Sequence, residues 1–146
     1  MLENKASVVL IALALAIVAS PCFSAGNSAS SELLTADQAF NVDGKRLKDD
    51  QVAITVSAAP GYAVYKERLK VTSESLDGKA LRVKFPKPQA AISMPDGTVL
   101  HKYKGQNEFL VSLPRQAGTR ALVVEIQGCA EVGVCYQPMQ KRIVLR

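Results

Sequence analysis

The sequence predicts an all-β fold, an antiparallel β-sandwich, behind an N-terminal signal helix that is cleaved. Three observations predict it. Short runs with period-two alternation of apolar residues recur along the chain, the pattern of strands that bury one face. Turn residues separate these runs at intervals of roughly ten residues. They are Asp43-Gly44, Pro60-Gly61, Asp77-Gly78, Pro86 to Pro88, Pro95-Asp96-Gly97, Gly105, Pro114 to Gly118, and Gly128 to Gly133. Finally, no segment after Ser31 shows a long amphipathic helix, although Glu32 to Phe40 has room for a turn or two. Short strands between such turns fit a sandwich. A small barrel has the same periodicity and stays open as an alternative.

Taken in order, the chain begins with Lys5 and the apolar run Ala6 to Ala19, then the small-residue stretch Ser20, Pro21, Cys22, Phe23, Ser24, Ala25. That run is shorter than the roughly 20 residues that span a bilayer. A short apolar core between a basic start and small residues reads as a secretory signal peptide; a membrane anchor or a buried helix is the alternative. Cleavage after Ser24 is expected, and Pro21 directly before Cys22 argues against a lipidated cysteine. The organisation is therefore a signal peptide over 1–24, a flexible leader over 25–33 containing the small polar run Gly26 to Ser31, and one domain over 34–146. No stable membrane span is expected once the signal is removed.

Within the domain, Val52, Ile54 and Val56 share one face of a strand, as do Leu81, Val83 and Phe85. Phe109, Val111 and Leu113 repeat the pattern, then Leu122, Val124 and Ile126, and last Ile143 and Leu145. The total of 146 residues leaves room for one domain plus a targeting segment, and 48% hydrophobic residues exclude a disordered chain. One His and three Met argue against a multi-ligand metal site, and neither metal nor cofactor is expected. The formal charge of +5 is scattered among the strands, with no basic run interleaved with aromatics. A nucleic-acid partner is rejected on that ground.

Thiol chemistry is what remains. Of three cysteines, Cys22 is expected to leave with the signal, so an awkward odd count becomes a pair, Cys129 and Cys135. Both lie between two strand-like runs, Leu122 to Ile126 and Lys141 to Leu145, and so at the end of a hairpin. Opposed residues there come within the Cα separation a disulfide needs, and the five residues between them, Gly133 included, give the turn slack. Dithiol and disulfide are both accessible without large backbone movement. A permanent structural disulfide is the competing reading. Closing so short a loop constrains the unfolded chain by only ~2 kcal/mol, a weak staple.

The run Gln127-Gly128-Cys129-Ala130-Glu131-Val132-Gly133-Val134-Cys135-Tyr136-Gln137-Pro138 resembles the active-site hairpin of the N-terminal periplasmic domain of DsbD, a thiol:disulfide interchange protein family. Ala36-Asp37-Gln38-Ala39-Phe40 resembles the start of that domain, and Gly61-Tyr62-Ala63-Val64-Tyr65 its Gly-Tyr-x-x-Tyr strand. The resemblance implies an immunoglobulin-like fold in the periplasm. It also implies a dithiol that takes electrons from a membrane-linked, thioredoxin-like donor and reduces thioredoxin-fold oxidoreductases. Disulfide isomerases and cytochrome c maturation factors are the implied recipients. Cys135 would form the mixed disulfide and Cys129 would resolve it.

The same resemblance implies a cap loop over the cysteines. Leu100 to Gly105 fits that place, with Tyr103 as the lid. Where the family carries acidic residues before the aromatic, this chain has His101 and Lys102, which alters partner choice and favours the thiolate. His101 is a candidate proton donor, with a merely solvated loop histidine as the alternative. Tyr62 and Tyr65 are candidates to line the site; the alternative packs one in the core and exposes the other. The chain also stops at Arg146, without the membrane domain and second thioredoxin-like domain that follow in DsbD, and a standalone version is expected. Against all this stands a non-catalytic immunoglobulin-like binding module with a structural disulfide.

Overall fold

A computed structural model describes residues 32–115 and 118–146; the expected signal peptide with Cys22 and most of the expected leader lie outside them. One helical turn, α1 (Ala36–Ala39), opens the described domain. It starts at Thr35, whose backbone oxygen accepts from the N–H groups of Gln38 and Ala39 at 3.0 and 2.8 Å. Strands follow as β1 (Phe40–Lys48), β2 (Gln51–Ala58), β3 (Tyr62–Tyr65), β4 (Lys70–Ser73), β5 (Arg82–Lys84), β6 (Ala90–Ser93), β7 (Val99–Lys104), β8 (Gln106–Ser112), β9 (Ala121–Ile126), β10 (Gly128–Ala130) and β11 (Met139–Val144).

All pairings are antiparallel. One sheet has the order β1-β2-β8-β5; the others run β10-β3-β7-β6 and β11-β9-β4. These last two share their chain. A short turn at Lys66–Arg68 carries β3 toward β4, Gln127 carries β9 into β10, and the Tyr65 N–H bonds to the Gln127 oxygen at 3.3 Å. They therefore form one bent layer facing the first sheet, and one apolar cluster fills the space between. Val52, Ile54 and Val56 point in from β2, Phe109 and Val111 from β8, and Leu122, Val124 and Ile126 from β9, all fully buried. The predicted alternation holds there because each strand has one apolar and one polar side. Leu81, Val83 and Phe85 are only half-buried, since β5 is an edge strand.

The expected turn at Asp43-Gly44 does not form. Both residues lie inside β1, paired with Thr55 and Ile54. Glycine is needed at 44 for space, not for turning: a Cβ there would meet Ile143 Cγ2 at 2.7 Å. The chain turns later, at Asp49 and Asp50. Gly105, by contrast, has φ +62° and lets the chain leave β7 in one layer and enter β8 in the other.

Candidate active site

Strands β9 and β11 pair from Ala121↔Val144 to Ile126↔Met139, leaving Gln127 to Pro138 as the connection. Its first part does not continue toward β11. Instead β10 pairs with β3, as Gly128↔Val64, Cys129↔Ala63 and Ala130↔Tyr62. The chain then folds back so that Cys135 lies directly opposite Cys129, with Cα atoms 3.9 Å apart and the two sulfurs bonded. Hydrogen bonds fix this return without help from the sulfurs. The Ala130 N–H bonds to the Val134 oxygen at 2.8 Å, the Gly133 N–H to the Ala130 oxygen at 3.0 Å, and the Tyr136 N–H to the Gly128 oxygen at 3.0 Å. Gln127 Nε2 adds a bond to the Tyr136 oxygen at 3.0 Å. These hydrogen bonds are made without either sulfur.

The two sulfur-bearing residues differ in access. Cys129 is 9% exposed, whereas Cys135 is exposed and sits beside the apolar tip formed by Val132 (73% exposed) and Val134 (43% exposed). Thiol–disulfide exchange needs a thiolate to approach one sulfur along an open path. Cys135 is the more open of the two, and Cys129 lies buried behind it.

The register separates two faces of this sheet. Directly paired residues point the same way, so Gly128, Val64 and Tyr103 form one row across three strands and Cys129, Ala63 and Lys104 the next. The first row faces the core, where Val64 and Tyr103 are buried. Gly128 lets the hairpin lie against the core, since a Cβ there would meet the Phe40 ring at 2.4 Å and the Ala63 oxygen at 2.7 Å. The second row lies outside, with Tyr65 and Lys102 in the adjoining row on the same face. Two residues beyond Cys129, Glu131 forms an ion pair with Lys104 and donates its N–H to the Gly61 oxygen at 2.8 Å. Its carboxyl is held below the usual carboxylate range by the Lys104 hydrogen bond and charge, which outweigh the opposing effect of burial, and the charge of Lys102 adds a smaller push the same way.

Several expected site residues lie elsewhere. Leu100 to Gly105, expected as a cap loop with Tyr103 as its lid, runs mostly in the strand β7. The Tyr103 ring is 0% exposed, packs 5.1 Å from the Phe109 ring centroid and donates its hydroxyl to the Pro86 oxygen at 2.8 Å. It faces away from Cys129, because one residue separates the core-facing row from the outer one. His101 shares the Tyr103 side of β7, and its Nδ1 lies 2.6 Å from Glu67 Oε1, so its ring is engaged there rather than at the cysteines. Tyr62 packs its ring against Phe40 and Tyr136 on the core side. Tyr65 alone among these candidates shares the outer face with Cys129.

Sequence reasoning passed over Tyr136 as an anchor. Its ring lies 5.6 Å from that of Phe40, and its hydroxyl donates to the Leu34 oxygen. Tyr62 accepts the Leu34 N–H at 2.8 Å. Two tyrosines thus tie the start of the domain to the hairpin, and the only sequence signal was the position of Tyr136 next to Cys135. Among the described residues, no cluster of three or more His, Cys, Asp or Glu is placed to hold a metal, and no helix is long and apolar enough to cross a membrane.

The family model described as the N-terminal domain of thiol:disulfide interchange protein DsbD matches residues 30–146. The chain belongs to the DsbD N-terminal domain family. Among its relatives, the thiol:disulfide interchange protein DsbD of Ralstonia nicotianae is 28% identical over 133 residues, covering 91% of this chain and 22% of that protein. DsbD of Yersinia enterocolitica is 30% identical over 126 residues, covering 80% of this chain and 19% of that protein. The chain therefore spans about a fifth of the length of these relatives. The crystal structure of the Neisseria meningitidis DsbD N-terminal domain in the reduced form superposes with a TM-score of 0.63 at 26% identity, over 79% of this chain and 90% of that one. The complex of the DsbD and PilB N-terminal domains from the same organism gives 0.60 at 25% identity, over 76% and 85%. The sandwich is thus immunoglobulin-like, which decides against the barrel. The hairpin cysteines are the bonded pair of a thiol–disulfide exchange domain.

Proposed function

We propose that this domain works in the periplasm as a dithiol–disulfide carrier, taking two electrons from a membrane-linked, thioredoxin-like donor and reducing thioredoxin-fold oxidoreductases. Disulfide isomerases and cytochrome c maturation factors are the recipients this reading favours. The observation that carries it is the unequal access of two bonded cysteines on a hairpin whose backbone is hydrogen-bonded independently of them. The Neisseria complex with a PilB domain supports docking of this family's domain on another protein.

A donor thiolate attacks the exposed Cys135 sulfur, breaking the bond to Cys129, which leaves as a thiolate and takes a proton. The donor's second thiolate then displaces Cys135, so the donor ends oxidised and the pair holds two electrons and two protons. In the forward half, the Cys135 thiolate attacks a recipient's disulfide, forms a mixed disulfide and releases one recipient thiolate. Cys129 then attacks the Cys135 sulfur, restoring the internal disulfide and releasing the reduced recipient. Thiolate fraction and access set both rates.

The test is trapping. A Cys129→Ser variant expressed in the periplasm retains Cys135 but cannot resolve the mixed disulfide. Recovery of thioredoxin-fold proteins on Cys135, lost in Cys135→Ser, is expected. An empty trap, or a pair that dithiothreitol reduces only when the domain unfolds, leaves a structural disulfide in a binding module.

A further inference from the structure

We propose that Lys102 and Lys104, held on the cysteine face of the sheet with Glu131, select a partner whose disulfide is flanked by carboxylates. The proposal rests on the exchange function above and names the surface chemistry of its protein partner, a thioredoxin-fold domain with an acidic rim.

Register places the lysines. Lys104 completes the row Cys129–Ala63–Lys104, and Lys102 pairs with Tyr65 one row along the same outer face. Ala63 is only 1% exposed although it faces outward, as expected for a small residue with Cys129 on one side and Lys104 on the other. The Lys104–Glu131 ion pair reaches from β7 to the hairpin tip. Both its side chains are nearly half exposed, so the pair is open to an approaching surface.

The charge is one-sided. None of the four strands β10, β3, β7 and β6 contains an aspartate or glutamate, and between Gly128 and Pro138 the one carboxylate is Glu131. Glu67, the nearest acid after β3, is engaged by His101. Two ammonium groups and one carboxylate leave the strip positive, beside the exposed apolar side chains of Val132 and Val134. An apolar patch next to a charged strip suits a partner whose cysteine pair lies in an apolar surface with acids at its border. Complementary rim charges act mainly on encounter rate and partner choice.

The measurement uses reduced protein and two disulfide-linked peptide dimers, identical except for glutamates or lysines flanking the cysteine. Oxidation rates are normalised to those of dithiothreitol with the same peptides, which removes differences in leaving-group thiols. The glutamate dimer is expected to react roughly five- to tenfold faster at low salt. The preference should shrink toward unity at about 0.5 M salt. Lys102→Gln with Lys104→Gln should abolish it, and Glu131→Gln should increase it. Equal normalised rates, a lysine preference, or a preference that survives the double lysine variant overturns the proposal. Neutral bis(2-hydroxyethyl) disulfide separates the two ideas. If it oxidises the dithiol while charge has no effect, only the acidic-partner inference falls; if no disulfide oxidises it, the exchange function falls as well.

Discussion

Gly128, Val64 and Tyr103 form one row across the β10–β3–β7 sheet, and Cys129, Ala63 and Lys104 form the next. One residue step separates them, yet the first row is buried against the opposite layer while the second carries a disulfide, a covered alanine and an ion pair. The pleat makes this division possible, because alternate side chains stand on opposite sides of the same backbone. The inner row is thereby committed to packing and the outer row is left for exchange. Substitutions in the two rows should act on different observables.

The largest stability effect is expected at Tyr103. Truncating a fully buried aromatic removes its packing on Phe109 and Phe85 and leaves a cavity, so Tyr103→Ala should cost about 3–5 kcal/mol in urea unfolding. The surviving folded protein should exchange with dithiothreitol at the wild-type rate. A stable variant that reacted tenfold faster would return Tyr103 to the role of a lid.

Next comes Gly128, which adjoins the reactive pair but belongs to the inner row. Gly128→Ala sets a methyl against the Phe40 ring and the Ala63 oxygen. A rigid backbone oxygen cannot move aside as a flexible side chain would, so a loss of about 1–3 kcal/mol is expected. If the variant unfolds at the wild-type midpoint, the hairpin does not press on the core as described.

A smaller loss is expected at Tyr62. Tyr62→Phe keeps the ring against Phe40 and removes the oxygen that accepts the Leu34 N–H. About 1 kcal/mol should follow, with faster hydrogen exchange at the Leu34 amide. An unchanged amide would mean that the domain's first residues are held by Tyr136 alone.

What could be read beforehand follows from the range of the interactions. Val52, Ile54 and Val56 announce a buried strand face, because each neighbour in sequence is less apolar or smaller and the period is local. The cysteine pair was legible for the same reason: a six-residue separation between strand-like runs can close into a hairpin. β7 was not. Its two sides, Val99-His101-Tyr103 and Leu100-Lys102-Lys104, each mix apolar with polar residues, and pairing with β3 decides which side is buried. Asp43-Gly44 misled for a related reason, since Ile143, about a hundred residues later, supplies the need for glycine. No spacing rule connects Lys104 to Glu131 either; two strand pairings bring them together.

The smallest effect sharpens the inner side of β7. Glu67 is partly desolvated, which raises its pKa, but the hydrogen bonds from the His101 side chain and backbone, with a backbone bond of its own and the His101 charge, together bring it below its ordinary value of 4.5. A depressed carboxyl stabilises the fold above the unfolded value, and the contribution is lost as pH falls through the folded one. Because both side chains are about a third exposed, less than about 1 kcal/mol is involved. Glu67→Gln should therefore lower the Tm slightly near neutral pH, and the gap from wild type should close as the pH falls below 4.5 and through the depressed folded value. The oxidation rate of the dithiol by bis(2-hydroxyethyl) disulfide should not change. A rate that moves with Glu67 would couple His101 to the cysteines across the sheet, and the division between its two faces would fail at that strand.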